Sequence, residues 1–139
     1  MQYSHLTELY EKLESTSKRL EKTKFLAEFL EQCNAKEMGK IVLLVQGLVF
    51  PKYDERKIGV ASKLIVKALN TATGITLDEI EKTWKKTGDL GKTAELLILK
   101  KHQHTLFSED LTVEKVFTNI KKLADQEGLG STDVKLKMI

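Results

Sequence analysis

Glycines and lysines at two predicted helix starts are the residues best suited to chemistry. Ile58-Gly59-Val60-Ala61 opens one helix, and Gly130-Ser131-Thr132 precedes another that carries Lys135 and Lys137. Glycine permits a close backbone approach, and free amides at a helix start can donate to phosphate oxygens. Basic residues surround the first start: Lys52, Arg56, Lys57 and Lys63.

The two starts together could form a clamp for backbone phosphates. Aromatic residues do not interleave with these lysines, so base stacking on single strands is disfavoured and contact with a duplex backbone is the sharper hypothesis. Ordinary capped helices with solvated lysines would give the same pattern, and from the pattern alone they are the simpler interpretation.

A second candidate is Gly91-Lys92-Thr93, which looks like the end of a phosphate-binding P-loop. The position of the leading glycine holds Lys86, and no strand precedes the segment. A corner between two helices, with Gly88 ending one and Asp89 capping the next, explains the residues better. We therefore predict no ATP binding here.

The remaining reactive residues do not converge on a site. His5, His102 and His104 could supply imidazole ligands, but a zinc site needs three or four convergent donors. Cys33 is the only thiol, which excludes an internal disulfide and favours a reducing, cytoplasmic setting. No carboxylates pair convincingly, so the sequence predicts neither a metal site nor catalytic residues.

The elements that must position these residues have the helical period throughout. We predict an all-α fold, an irregular or orthogonal bundle of about seven to eight helices, in one domain over residues 1–139. Apolar stripes define the helices: Leu6, Leu9, Tyr10 and Leu13; Phe25, Leu26, Phe29 and Leu30; Met38, Ile41, Val42, Val45 and Leu48; Leu64, Ile65, Ala68 and Leu69; Ile80 and Trp84; Leu90, Ala94, Leu97 and Ile98; and Val113, Val116, Phe117, Ile120 and Leu123.

Capping residues predict where these helices begin and end. Gly74 stops the fourth helix, and Thr76 with Glu79 three residues later makes a capping box for the fifth. Thr112 can cap a helix that ends at residues 128–130. The last stripe, Leu136 and Ile139, has no stop signal after it, so we expect a chain that ends inside a domain.

The net charge and hydropathy of the chain exclude few classes of binding partner. The net charge of +3 permits an anionic partner without requiring one. No apolar run reaches membrane-spanning length, which predicts a protein without a membrane contact.

The order of several segments resembles the N-terminal DNA-binding domain of ATP-dependent DNA ligases, with the archaeal form most similar. The resemblance covers nearly the whole chain, and the matching pieces are LESTSKRLEKTKFLAEFL (13–30), IGVASKLIVKAL (58–69), ATGI (72–75), TGDLG (87–91), LTVEKVF (111–117) and GST (130–132). Each piece alone is weakly specific, whereas their order and spacing together are fairly specific.

The resemblance implies sequence-independent binding of nicked duplex DNA through phosphates and the minor groove. It implies a DNA-binding surface at Gly59, Val60, Ala61 and Lys63, with Lys57 beside them, and at Ser131, Thr132 and Lys135. It also implies a parent enzyme that uses ATP and Mg²⁺, works with further ligase domains in replication, repair and recombination, and would be nucleoid-associated in an archaeal cytoplasm.

The departures from the family pattern limit what this chain could do alone. The nucleotidyltransferase lysine of the family lies in a KxDG motif, which these residues lack, and an OB-fold domain is also missing. We therefore expect a truncated domain that does not catalyse ligation and needs no cofactor itself. The alternative is a helical interaction module that self-associates or pairs with another chain through Leu136 and Ile139.

Overall fold

The structure, a computed structural model, describes residues 1–54, 59–100, 110–126 and 131–138, with only the backbone for residues 131–133 and 137. These ranges contain helices and no strand, which confirms the predicted all-α class and number of helices. The eight helices are α1 Tyr3–Glu14, α2 Arg19–Glu31, α3 Ala35–Val45, α4 Ser62–Thr73, α5 Leu77–Thr87, α6 Leu90–Leu99, α7 Val113–Ala124 and α8 Ser131–Met138.

The chain divides into two compact units. The first comprises Met1–Lys57 and Glu109–Lys122, and the second comprises Ile58–Ser108 and Leu123–Ile139. Each unit has buried apolar residues of its own. The single domain expected over residues 1–139 therefore stays a prediction.

In the first unit, α1 packs against α2. Leu6 and Leu9 on the predicted stripe of α1 are buried. The four apolar residues of the stripe predicted for α2 are half-buried: Phe25, Leu26, Phe29 and Leu30. The helical period thus identifies the inward faces of both helices correctly.

Two backbone segments distant in sequence tie the start of α1 to the start of α7. Tyr3 N donates to Leu111 O at 2.7 Å, and Val113 N donates to Met1 O at 3.0 Å. The Thr112 hydroxyl accepts from Lys115 N at 3.2 Å, which confirms the predicted cap of α7. On this helix a hydrogen bond from the Lys40 ammonium holds the pKa of Glu114 below its usual value.

The second unit is built around an apolar cluster shared by α4, α5 and α6. Its buried members are Val66, Leu69, Ile75, Ile80 and Leu97. The three helices pack pairwise around this cluster. Ile80 and Leu97 are completely inaccessible to solvent, so they are the residues on which the packing of this unit depends most.

Left-handed glycines and side-chain caps form the corners of this cluster. Gly74 and Gly88 end α4 and α5 with φ of 72° and 70°. The Thr76 hydroxyl accepts from Glu79 N at 3.4 Å, and the Asp89 carboxylate accepts from Lys92 N at 2.7 Å. Because the Asp89 carboxylate already accepts from the Lys92 amide, that amide is not available to a phosphate. Residues 88–93 therefore form the predicted corner between two helices and not a phosphate-binding loop.

Two residues of the predicted inward-facing stripes are exposed. Ile98 is 56% exposed, and the completely buried Thr93 completes the inward face of α6 instead. Burial of Thr93 is tolerated because its hydroxyl donates to Asp89 O at 2.7 Å. In α3, Val42 is 39% exposed and Leu44 is buried, because the inward face continues three residues beyond Ile41.

We expect Leu97→Ala to lower the free energy of unfolding by about 2–5 kcal/mol, because it removes a fully buried side chain and leaves a cavity. The matched control is Leu99→Ala two residues later, where the side chain is 81% exposed and the change should stay within about 0.5 kcal/mol. Urea unfolding followed by the fluorescence of Trp84, which packs against the cluster, measures both. Equal effects of the two variants would contradict the assigned core.

A pair of glycine substitutions should have opposite effects. Gly59 precedes α4 with φ of 59°, so Gly59→Ala should destabilise the protein by about 1 kcal/mol. Gly39 lies inside α3 with open space where a Cβ would be, so Gly39→Ala should stabilise it by about 0.5–1 kcal/mol. Thermal unfolding followed by circular dichroism measures both, and a stabilised Gly59→Ala would show that the left-handed turn is not formed.

Candidate nucleic-acid interface

Among the described residues, the start of α4 has neither a side-chain cap from its N-cap residue nor an acidic residue in its first turn. Ala61 is the N-cap, in extended conformation with φ of −78° and ψ of 150°, and its side chain makes no capping hydrogen bond. Its carbonyl accepts from Leu64 N at 2.9 Å and from Ile65 N at 3.3 Å. The capping residue therefore supplies only its carbonyl, and its side chain offers no acceptor to the amides of Ser62 and Lys63.

Four other helix starts in the described part of the chain have a side-chain cap. Side chains of Asn34, Thr76, Asp89 and Thr112 accept from first-turn amides of α3, α5, α6 and α7. The start of α1 instead receives the backbone carbonyl of Leu111, and the first turn of α2 contains an acidic residue. The α4 start, like that of α1, combines an N-cap residue without a side-chain hydrogen bond with a first turn that contains no acidic residue, but of these two only the α4 first turn contains a lysine.

A lysine occupies this first turn. Lys63 is exposed and is the second residue of α4. A cation near the positive end of a helix dipole costs about 0.3–1 kcal/mol, whereas an anion bound there would be stabilised by the dipole and by the lysine together. The position is therefore unfavourable for the free helix and suited to a helix that receives an anion.

The helix that carries the second predicted start packs against α4 within the same unit. Helix α8 packs against α4, and the Lys135 ammonium donates to the carbonyl oxygen of Gly59 at 3.4 Å. Gly59 and Ala61 are exposed and Val60 is half-buried. The structure thus places five of the predicted residues at one location: Gly59, Val60, Ala61, Lys63 and Lys135.

Three other predicted residues are placed less completely. Ser131 and Thr132 form the first turn of α8, where only their backbone is described. Lys57 lies outside the described residues, as do the glycines of the predicted hinge at 128–130. The contact between Lys135 and the Gly59 carbonyl was not predicted, because residues 76 positions apart give no local signal of their proximity.

The alternative chemistries receive no support from the geometry. The Cys33 thiol donates to Phe29 O at 3.2 Å, and burial together with the charge of Glu37 raises its pKa, which disfavours a nucleophilic thiolate. Among the described residues, no cluster of His, Cys, Asp or Glu could hold a metal ion; His102 and His104 lie outside them. No helix in the described ranges has the length and apolar character needed to cross a bilayer.

Comparison with known proteins gives one consistent relationship. The family profile described as "DNA ligase N terminus" matches residues 2–139. DNA ligases of Thermococcus onnurineus and Nitrosopumilus maritimus are 42% and 40% identical to this chain over 139 residues. Each match covers all of this chain but only 25% and 24% of the respective relative. The DNA ligase of Methanothermobacter thermautotrophicus is 40% identical over 137 residues, 99% of this chain and 25% of that protein. The chain therefore spans about a quarter of these archaeal relatives, and it belongs to the DNA ligase N-terminus family.

Proposed function

We propose that this chain binds the sugar–phosphate backbone of nicked duplex DNA through the α4 start. The observation that carries the proposal is the uncapped, acid-free first turn of α4 with Lys63 in it and Lys135 beside it. Backbone amides and lysines are common donors to DNA phosphates. Membership of a ligase family supports duplex DNA as the source of those phosphates.

Such contacts would hold DNA without reading its sequence. Phosphates are the same at every base pair, so the amides at Val60 and in the first turn of α4, together with the Lys63 ammonium, would fix position and orientation only. Binding would release condensed counterions, so the affinity would fall as salt rises. Sequence-independent binding suits a ligase, because breaks occur in any sequence context.

The proposed role in the parent protein is to present the break to the remaining ligase domains. The parent would join a 3′-hydroxyl to a 5′-phosphate through an adenylated lysine, with ATP and Mg²⁺ bound outside this chain. The donors at the α4 start would contribute binding and orientation of the DNA and no chemical step.

The second candidate function is a helical interaction module that self-associates or pairs with another chain. The stripe that suggested it includes Leu136, which is half-buried on α8, the helix that packs against α4; Ile139 lies outside the described residues. Self-association therefore stays a prediction, with less exposed apolar surface at Leu136 than the sequence suggested.

We expect Lys63→Glu to weaken binding to a short nicked duplex on the order of tenfold, the loss of one charge-assisted contact. The slope of log affinity against log salt should become shallower by about 0.9, as one phosphate contact disappears. The same substitution should raise the free energy of unfolding by about 0.5 kcal/mol, because it replaces a cation with an anion at the helix start. Fluorescence anisotropy at several salt concentrations and thermal unfolding measure the two effects.

Lys36→Glu is the matched control. Lys36 is also exposed and also the second residue of its helix, but the α3 start is capped by Asn34 and has Glu37 in its first turn. The control makes the same change in net charge, so it should lower affinity much less than Lys63→Glu does. Equal losses would show that only net charge matters, and the proposed site would be wrong.

A further inference from the structure

We infer that Lys135 is a positioning residue: it holds the Gly59 carbonyl so that the next amide, Val60 N–H, faces the bound phosphate. This role rests on the proposed function, because it assigns Lys135 an indirect part in the same phosphate contact. It differs from the expectation that Lys135 itself meets the DNA.

The contact geometry identifies what Lys135 holds. Its ammonium lies 3.4 Å from the Gly59 carbonyl oxygen, and the lysine is half-buried on α8. Helix α8 packs against α4, so the lysine is presented to the glycine turn from a fixed support. An ammonium has three donors and no acceptor, and the carbonyl gives one of these donors a defined partner.

Peptide planarity converts this contact into an orientation for the neighbouring amide. The described residues contain no cis peptide bond, and in a trans peptide the carbonyl of one residue and the N–H of the next point in opposite directions. With the Gly59 carbonyl turned towards Lys135, the Val60 N–H points away from it. A phosphate oxygen that accepts from Val60 N–H therefore lies on the opposite side of this peptide from the Lys135 contact.

Glycine at position 59 makes such a restraint useful. Gly59 has φ of 59°, and glycine adopts positive and negative φ with similar ease, so its peptide can reorient more readily than others. No side-chain cap fixes the α4 start from its own end. The carbonyl contact from Lys135 would restrain the peptide before DNA arrives, which lowers the ordering cost of binding.

Salt dependence separates a positioning lysine from one that touches a phosphate. Lys135→Met removes the donor and should weaken binding to a nicked duplex about threefold at every salt concentration, the size typical of an exposed polar contact. The slope of log affinity against log salt should not change, because no phosphate contact is lost. Lys135→Arg keeps a cationic donor and should restore most of the affinity.

Lys63→Met in the same series provides the comparison, and its slope should become shallower by about 0.9. An equal change of slope in Lys135→Met would show direct phosphate contact and overturn the inference, as would an unchanged affinity. If the unsubstituted chain fails to bind the duplex at low salt, the proposed function fails, which is a separate outcome.

A readout without DNA tests the restraint itself. In the free protein, Lys135→Met should shift the carbonyl ¹³C resonance of Gly59 and the amide resonance of Val60. Unshifted Gly59 and Val60 resonances would show that the restraint does not exist, whatever the DNA measurements give.

Discussion

The first-turn amides of a helix must find acceptors, and this constraint determines much of the local structure in both units. Where a polar side chain supplies the acceptor, as at Thr76, Asp89 and Thr112, the helix start is fixed by its own sequence. The α4 start is different, because its capping residue is an alanine and its first turn contains a lysine. The restraint there comes instead from α8, through a contact to the carbonyl of Gly59.

The features proposed to favour phosphate binding at the α4 start also lower the stability of the free helix. An aspartate or serine at position 61 would cap the helix, and a glutamate at position 63 would suit its dipole. Either change would place an acceptor or a negative charge where a phosphate is proposed to bind. A helix start that is poorly stabilised in isolation is thus what a phosphate site made of backbone amides needs.

Features with local determinants can be predicted from the sequence of this chain. Caps, left-handed glycines and helical periods act within a few residues, so Gly74, Gly88 and Asp89 were placed correctly. Features decided by tertiary packing cannot: the helical period alone does not show that Thr93, and not Ile98, completes the inward face of α6. A threonine can take that position because its hydroxyl finds acceptors within the corner, which hydrophobicity patterns do not register.

For the candidate site, the sequence indicated the two helix starts but not the contact between Lys135 and Gly59. Gly59 and Lys135 are far apart in the chain, and only the packing of α8 on α4 brings them together. A titration of the isotopically labelled protein with a short nicked duplex, followed by backbone amide resonances, shows where on the chain the DNA binds. We expect the largest shifts at low salt at residues 59–63; maximal shifts confined to α1 and α2, or no shifts, would contradict binding at the α4 start.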